Sequence, residues 1–443
     1  MTQPARRDGL RVMRRNFPSL LILPLVVAVA VGVPLVWAFP SGLTFWRSVG
    51  IVLGWLGGGL LLASLLLMLR EPRLAASFGG LERMYRWHHR LGVCAYVAFL
   101  AHPLALALDG WQERPALAWS VLAPAQEGWP VWPVWCGWAA LLVMMLGLAV
   151  ALTPPQNLRY ALWRGLHALL ALSVVLGGLH LLLLGVDTPL LILPVLAVVL
   201  MLWRALRADV GLAARPYRVA QVAVLGSDVV EATLQPLTSQ AAAIHEDKVL
   251  QPGQFVLAAF LDGPGFSGCG EYHPFTVSGS GPDGSIAIGI KALGDCTRHL
   301  QGLQPEVAVR VQGPFGSFLP ARLERPGLWL AGGIGITPFI AALRSQTLRQ
   351  PVHLIYLHRD DDDAAYADVL NALWPDQPAL TLDIQASGAT LPDLRVILPE
   401  SSRLAACVCY LCGPPGLVDA ARGVLHERGV AKRDIHFERF DFR

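Results

Sequence analysis

The stretch "RWHHRLGVCAYVAFLAH", Arg86 to His102, decides how the first half of the chain is read. It is apolar enough to sit in lipid, yet it carries His88 and His89 at one end and His102 at the other. It belongs to one of six apolar blocks, near residues 18–38, 46–69, 85–108, 131–152, 158–184 and 188–206. Each is about the 17–25 residues that cross a bilayer as helix. The chain of 443 residues is 54% hydrophobic and 15% charged, against roughly 25% charged in a soluble domain. That deficit lies before about Arg207; from Arg215 onward charges, glycines and prolines recur as in a soluble α/β protein. The expected fold class is a multidomain membrane protein, with a transmembrane bundle over 1–210 and a soluble remainder.

Basic residues set the expected orientation. Arg6, Arg7, Arg11, Arg14 and Arg15 precede the first block, Arg70, Arg73, Arg83 and Arg86 lie in the second connection, Arg159 in the fourth, and Arg204 and Arg207 at the exit. The alternate connections hold only Arg47 and Arg114. Both termini and the soluble half are therefore expected to be cytoplasmic, in a multi-pass protein of a plasma (bacterial inner) membrane. "RRNF", Arg14 to Phe17, has the look of a twin-arginine signal, but the run after it is long enough to span and lacks a small-residue cleavage site. Seven cysteines, an odd number, do not suggest a disulfide framework, and the soluble half is expected to face a reducing compartment. A net charge of +3 argues against a nucleic-acid partner.

Ionisable side chains inside a span are costly and mark function by default. The third block carries His88, His89 and His102, the fifth His167 and His180. On a straight helix His88 and His102 differ by a rotation of about 40° and a rise of about 21 Å. His167 and His180 rise about 19.5 Å but point roughly 140° apart. That mismatch calls for a bulge or bend, for which Gly177 and Gly178 offer a place. Spans three and five run in the same direction, so His88 pairs with His167 near the cytoplasm and His102 with His180 near the outside. Two bis-imidazole sites suit two low-spin haems. A lone membrane histidine is commonly a hydrogen-bond link between helices, but two matched pairs fit that reading poorly. His89 is the alternative to His88, and zinc is disfavoured because two ligands per level leave its site incomplete.

In the soluble half, "YRVAQVAVLG", "VVEATL", "GQFVLAAF", "GSIAIGIKAL" and "VAVRVQGPFG" are short strand-like segments between Gly and Pro turns. They predict a small antiparallel barrel. Beyond Pro326 strands and helices alternate, which predicts a parallel sheet with crossover helices. "AGGIGITPF" closes a strand and opens a helix; Gly332, Gly333 and Gly335 allow close backbone approach, Thr337 can cap and Pro338 suits the first turn. Free N–H groups there can bind pyrophosphate, and the missing lysine disfavours a triphosphate hydrolase. "HPFTVSGS" places Phe275 and Thr276 where a strand could line a flat ring system; "KALGDCTRHL" opens a helix with Asp295 and Thr297. Cys409 and Cys412 in "CVCYLC" read as packing rather than metal ligands.

Together these segments resemble the ferric reductase and NADPH oxidase superfamily, a six-helix haem domain fused to a ferredoxin-reductase-like dehydrogenase. The resemblance implies an FAD barrel over 215–325 and an NAD(P)H domain over 326–443. It implies FAD contacts from His273, Pro274, Phe275, Thr276 and Ser278, with Lys291, Gly294, Asp295 and Thr297 at the pyrophosphate. The nicotinamide dinucleotide's phosphates fall to Gly332, Gly333, Gly335, Thr337 and Pro338, and Cys412, Gly413 and Pro414 lie beside the nicotinamide. Phe442, with Phe440 the alternative, covers the flavin, and His88, His102, His167 and His180 hold the haems. The implied activity is electron transfer from cytoplasmic NADPH through FAD and two b-type haems to an outer small-molecule acceptor. Oxygen, giving superoxide, is slightly preferred to a ferric chelate, and no obligate protein partner is evident. Arg359 could meet a 2′-phosphate, though Asp360 to Asp363 would repel one, so NADPH is preferred modestly over NADH. The alternative of another class is a proton-coupled transporter or sensor with a flavin-binding part.

Overall fold

The computed structural model describes residues 8–439 apart from 124–130, 153–159, 239–249, 361–363, 389 and 405. The chain divides into two compact units, Met1–Leu212 and Ala213–Arg443.

The first unit is helical: α1 (Asp8–Trp37), α2 (Phe45–Leu66), the short α3 (Pro72–Ser77), α4 (Leu81–Glu113), α5 (Pro115–Leu122), α6 (Val131–Leu152), α7 (Tyr160–Leu183) and α8 (Ile192–Arg204). Among the described residues five helices are long and apolar enough to cross a membrane, and Leu21–Trp37 of α1 is a shorter apolar one. Leu146, Leu182 and Leu202 stand exposed on their helices, as lipid-facing side chains do in a bundle whose solvent is hydrocarbon. Backbone hydrogen bonding inside each helix is what allows a chain to cross that medium.

Without water to drive apolar burial, close packing of small residues holds such helices together. Here α2 packs on α4, and α6 on α7, far more closely than α4 and α7 pack on each other. A Cβ added at Gly50 of α2 would stand 2.7 Å from Leu106, and one at Gly57 2.8 Å from Phe99. Gly147 of α6 meets Leu170 in the same way, at 2.7 Å. At one end of the bundle Arg207 pairs with Glu71 at 2.9 Å and Arg70 donates to Tyr85 at 3.1 Å. At the other, the Thr44 hydroxyl donates to Asp109. The bulge expected near Gly177 and Gly178 is not there: α7 is regular α-helix throughout.

The second unit begins with six strands, β1 (Arg215–Val224), β2 (Val229–Pro236), β3 (Phe255–Phe260), β4 (His273–Ser280), β5 (Ile286–Lys291) and β6 (Ala308–Phe315), with α9 (Asp295–His299) after β5. They close into an antiparallel barrel in the order β1-β2-β5-β4-β3-β6, filled by side chains such as Tyr217, Phe260, Ile286 and Ile288. Then follow β7 (Gly327–Gly332), α10 (Thr337–Ser345), β8 (Val352–His358), α11 (Ala367–Leu373), β9 (Leu380–Ala386), α12 (Leu394–Ile397), α13 (Ser401–Leu404), β10 (Val408–Gly413), α14 (Pro415–Glu427) and β11 (Ile435–Arg439). The five strands form a parallel sheet ordered β11-β10-β7-β8-β9. Every residue of β7 is buried, as a strand covered on both faces must be.

The barrel and the sheet are joined by a polar clamp. Glu231 on β2 accepts both guanidinium nitrogens of Arg344 on α10 at 2.8 and 3.0 Å. The Ser278 and Tyr366 hydroxyls donate to the same carboxylate at 2.5 and 3.0 Å. Burial pushes the Glu231 pKa up, but Arg344, Ser278 and Tyr366 together hold it below the usual carboxylate range. Of the cysteines one pair, Cys269–Cys296, is joined as a disulfide and five are free. There is thus no framework, but one link where none was expected.

Candidate functional site

Four histidines, two on α4 and two on α7, form a polar constellation in the first unit. The rings of His88 on α4 and His167 on α7 face each other with centroids 6.4 Å apart and planes at 82°. His89, the alternative, is exposed. The His88 Nδ1 donates to the Ser64 carbonyl at 3.0 Å, with the Ser64 hydroxyl 2.8 Å away. His102 Nδ1 donates to the Gly50 carbonyl at 2.6 Å, and His180 Nδ1 to that of Pro133 at 2.7 Å. His167 stacks on Trp163, centroids 5.2 Å apart and planes within 6°. His102 and His180 are near enough to interact electrostatically.

These contacts assign the tautomer. A ring whose Nδ1–H is spent on a carbonyl presents Nε2 as a bare lone pair, the arrangement that orients metal-bound imidazoles. Two imidazole–metal bonds of roughly 2 Å, plus the ring half-widths, separate centroids by about 6 Å, close to the separation of His88 and His167. The residues present therefore fit a bis-imidazole metal group between α4 and α7. Sequence reading had not identified what supports them. A Cβ at Gly54 would meet His102 Nδ1 at 3.2 Å, and one at Gly137 would meet His180 at 3.0 Å. The spacing Gly50, Gly54, Gly57 was a legible signal of close helix approach; Ser64 gave none.

In the second unit the sequence candidates separate by strand alternation. On β4, Phe275 is buried in the barrel interior against Phe260, and His273 stands edge-on to Phe275. The two side chains share one face of β4, because every second residue of a strand faces the other way. Pro274, Thr276 and Ser278 occupy that other face. Lys291 is paired with Asp228 at 3.2 Å. Thr297 accepts the Leu293 and Gly294 N–H groups at 3.0 and 2.8 Å, and Asp295 pairs with Arg298 at 2.6 Å.

The glycine turn after β7 is shaped largely by its neighbours. A Cβ on Gly335 would stand 2.3 Å from the Cys412 carbonyl oxygen and one on Gly332 2.4 Å from Leu417. Only Gly333 has a left-handed conformation, φ +53°. Thr337 does not cap: it is the first residue of α10 and donates to the Ile334 carbonyl at 3.0 Å. Pro338 sits in the first turn as expected. Cys412 is buried, and burial pushes its thiol well above the ordinary value. Cys409 and Cys412 belong to cores on opposite faces of the sheet, which excludes one shared metal. Gly413 lies at the end of β10 and Pro414 is exposed beyond it. Arg359, exposed, follows β8. Phe440, Phe442 and Asp361 to Asp363 lie outside the described residues.

Residues 53–178 match the family described as "Ferric reductase like transmembrane component". The toluate 1,2-dioxygenase electron transfer component of Pseudomonas putida is 28% identical over 216 residues, 46% of this chain and 62% of that one. The ferredoxin reductase component of 3-ketosteroid-9-alpha-monooxygenase from Mycolicibacterium smegmatis is 30% identical over 137 residues, 30% of this chain and 38% of that one. The chain thus spans about half the length of these curated relatives. Among solved structures, the flavohem-like FAD/NAD binding domain of Vibrio cholerae nitric oxide dioxygenase is 21% identical, with TM-score 0.42, over 52% of this chain and 99% of that one. The chain is thus similar over residues 53–178 to a ferric-reductase-like transmembrane component, and elsewhere to reductase components of oxygenase systems. It is a multi-pass, membrane-embedded protein.

Proposed function

We propose that this chain carries electrons across a membrane, from cytoplasmic NADPH through FAD and two b-type haems to a small acceptor outside. The observation that carries the reading is the His88–His167 pair, facing across a gap between α4 and α7. When bound, FAD supplies the conversion of hydride to single electrons and haem iron supplies one-electron exchange.

The chain's own residues supply position. His88 and His167 hold the inner haem, His102 and His180 the outer, each ring oriented by its neighbours. Pro274, Thr276 and Ser278 wall the flavin, while His273 and Phe275 contribute backbone only. Lys291, Gly294, Asp295 and Thr297 stand at its pyrophosphate. Gly332, Gly333, Gly335, Thr337 and Pro338 form the dinucleotide turn; Cys412, Gly413 and Pro414 border the nicotinamide, with Cys412 packing the strand end. Arg359 favours NADPH over NADH, and Phe442 or Phe440 covers the flavin.

Oxygen, reduced to superoxide, is the preferred acceptor. A ferric chelate is the second reading, favoured by the match to a ferric-reductase-like component. The deciding experiment is a reduced-minus-oxidised spectrum of the purified full chain: no b-type band despite ample haem supply would overturn the reading in favour of a transporter or sensor. With haem present, superoxide-dismutase-sensitive against iron-dependent electron consumption, using NADPH and then NADH, settles acceptor and donor.

A further inference from the structure

A second constellation lies at the barrel, on side chains to which the electron-transfer reading gives no role. We propose that Cys269, Cys296 and His273 form, once their disulfide is reduced, a binding site for a divalent cation of the zinc type. The two sulfurs and one imidazole nitrogen all lie within 4.8 Å of one another. Cys269 and His273 come from one short segment, turned by Gly270 at φ +62°; Cys296 reaches them from α9, with its Cα 5.8 Å from that of Cys269. Four residues from cysteine to histidine is a metal-ligand spacing, and a distant third ligand is how structural sites tie two segments together.

The disulfide alone does not satisfy this cluster. His273 Nε2 is buried without a hydrogen-bond partner. The nearest carboxylate oxygen, on Glu271, is 3.8 Å away, beyond hydrogen-bond reach. A buried imidazole nitrogen without a partner is costly. A cation bound by two thiolates and that nitrogen removes the cost, and the Glu271 carboxylate or a water completes four ligands. Thiolate and imidazole donors together select zinc-like ions over magnesium or calcium. His273 also shares its face of β4 with Phe275 and Val277, both in the barrel core, whereas Ser278 reaches Glu231 on the other face. The His273 side chain is thereby on the other face of β4 from the proposed flavin wall, while Cys296 stands between Asp295 and Thr297 of the proposed pyrophosphate stretch.

The chemistry balances with a dithiol as reductant. Two electrons and two protons pass to the Cys269–Cys296 bond, giving two thiols, while the reductant closes to its own disulfide. Zinc binding then displaces the thiol protons to solvent.

The test uses the full-length chain in detergent, reduced anaerobically with dithiothreitol, desalted, equilibrated with zinc chloride and gel-filtered. Bound zinc is measured by atomic emission, and cysteine accessibility by N-ethylmaleimide labelling with peptide mass spectrometry. The reduced chain is expected to retain about one zinc at this site, with Cys269 and Cys296 shielded from labelling only when zinc is present. Cys269→Ser and Cys296→Ser should each weaken retention tenfold or more, and Cys407→Ser should not. Should either variant fail to fold, the labelling pattern of the wild-type chain decides alone. Zinc that is not retained, that leaves both cysteines open to labelling, or that binds Cys269→Ser as well as wild type overturns the proposal.

Discussion

The membrane bundle and the barrel each hold partly buried histidines, and they treat them differently. In the bundle, His88, His102 and His180 each give Nδ1 to a backbone carbonyl, which leaves Nε2 to present its lone pair, and His167, whose Nδ1 has no hydrogen-bond partner among the described residues, is held by stacking on Trp163. In the barrel, His273 keeps a buried Nε2 with no partner and two sulfurs beside it. The contrast teaches that a ligating imidazole is recognised by what its other nitrogen is doing. Sequence spacing finds the ring; the second hydrogen bond shows its task.

The largest expected effect breaks the bundle side of this comparison. His88→Ala removes one ring of a facing pair and should abolish about half of the haem absorbance, whereas His89→Ala, at an exposed position, should leave it intact; equal loss in both would refute the assignment. His167→Ala and His180→Ala are expected to remove one haem each. Next comes Gly54→Leu, whose side chain must occupy space 3.2 Å from His102 Nδ1. Overpacking of this kind costs about 1–3 kcal/mol, and haem content at the His102–His180 level should fall while the other level persists. Retention of both haems would show that α2 has freedom to retreat.

A smaller effect is expected in the polar clamp of the second unit. Glu231→Gln deprives Arg344 of its charge partner and should lower stability by about 1.5–3 kcal/mol, read from urea unfolding of the full chain. The sign with pH follows from the depressed Glu231 pKa: the folded carboxylate resists protonation, so its stabilisation is present above the ordinary value of 4.5 and is lost as pH falls through the folded value. The gap between wild type and variant should therefore close on acidification; a gap that widens would place the effect elsewhere. The smallest expected change is from Ser64→Ala, which leaves the Ser64 carbonyl on His88 and removes only the hydroxyl at 2.8 Å. About 1 kcal/mol or less should be lost, visible as a modest shift in the reduction potential of one haem.

Much of this was legible beforehand. Six apolar blocks of spanning length, and four histidines at intervals of thirteen and fourteen residues, follow from helix rise and the width of hydrocarbon alone. The alternating short strands and the later strand–helix pattern likewise gave a barrel and a parallel sheet. Three details were not legible. The rotation between His167 and His180 predicted a bulge that α7 does not contain, because helix rotation constrains a Cβ and not the ring beyond its torsions. Phe275 looked like a flavin wall, but β4 turns it into the core. Thr337 looked like a cap, but the preceding 3-10 turn, Gly333–Ile336, moves it one place inside the helix.

The sequence by itself determined which segments are long and apolar enough to cross a membrane, which form barrel and sheet, and where ionisable rings recur within the apolar blocks, since these depend on length, polarity and period along one chain. Tertiary structure alone decided which ring nitrogen is free, which face of β4 each residue takes, and why Gly54 and Gly137 carry no side chain. Those outcomes depend on atoms from elements far apart in sequence meeting at contact distance, and no local pattern encodes that meeting.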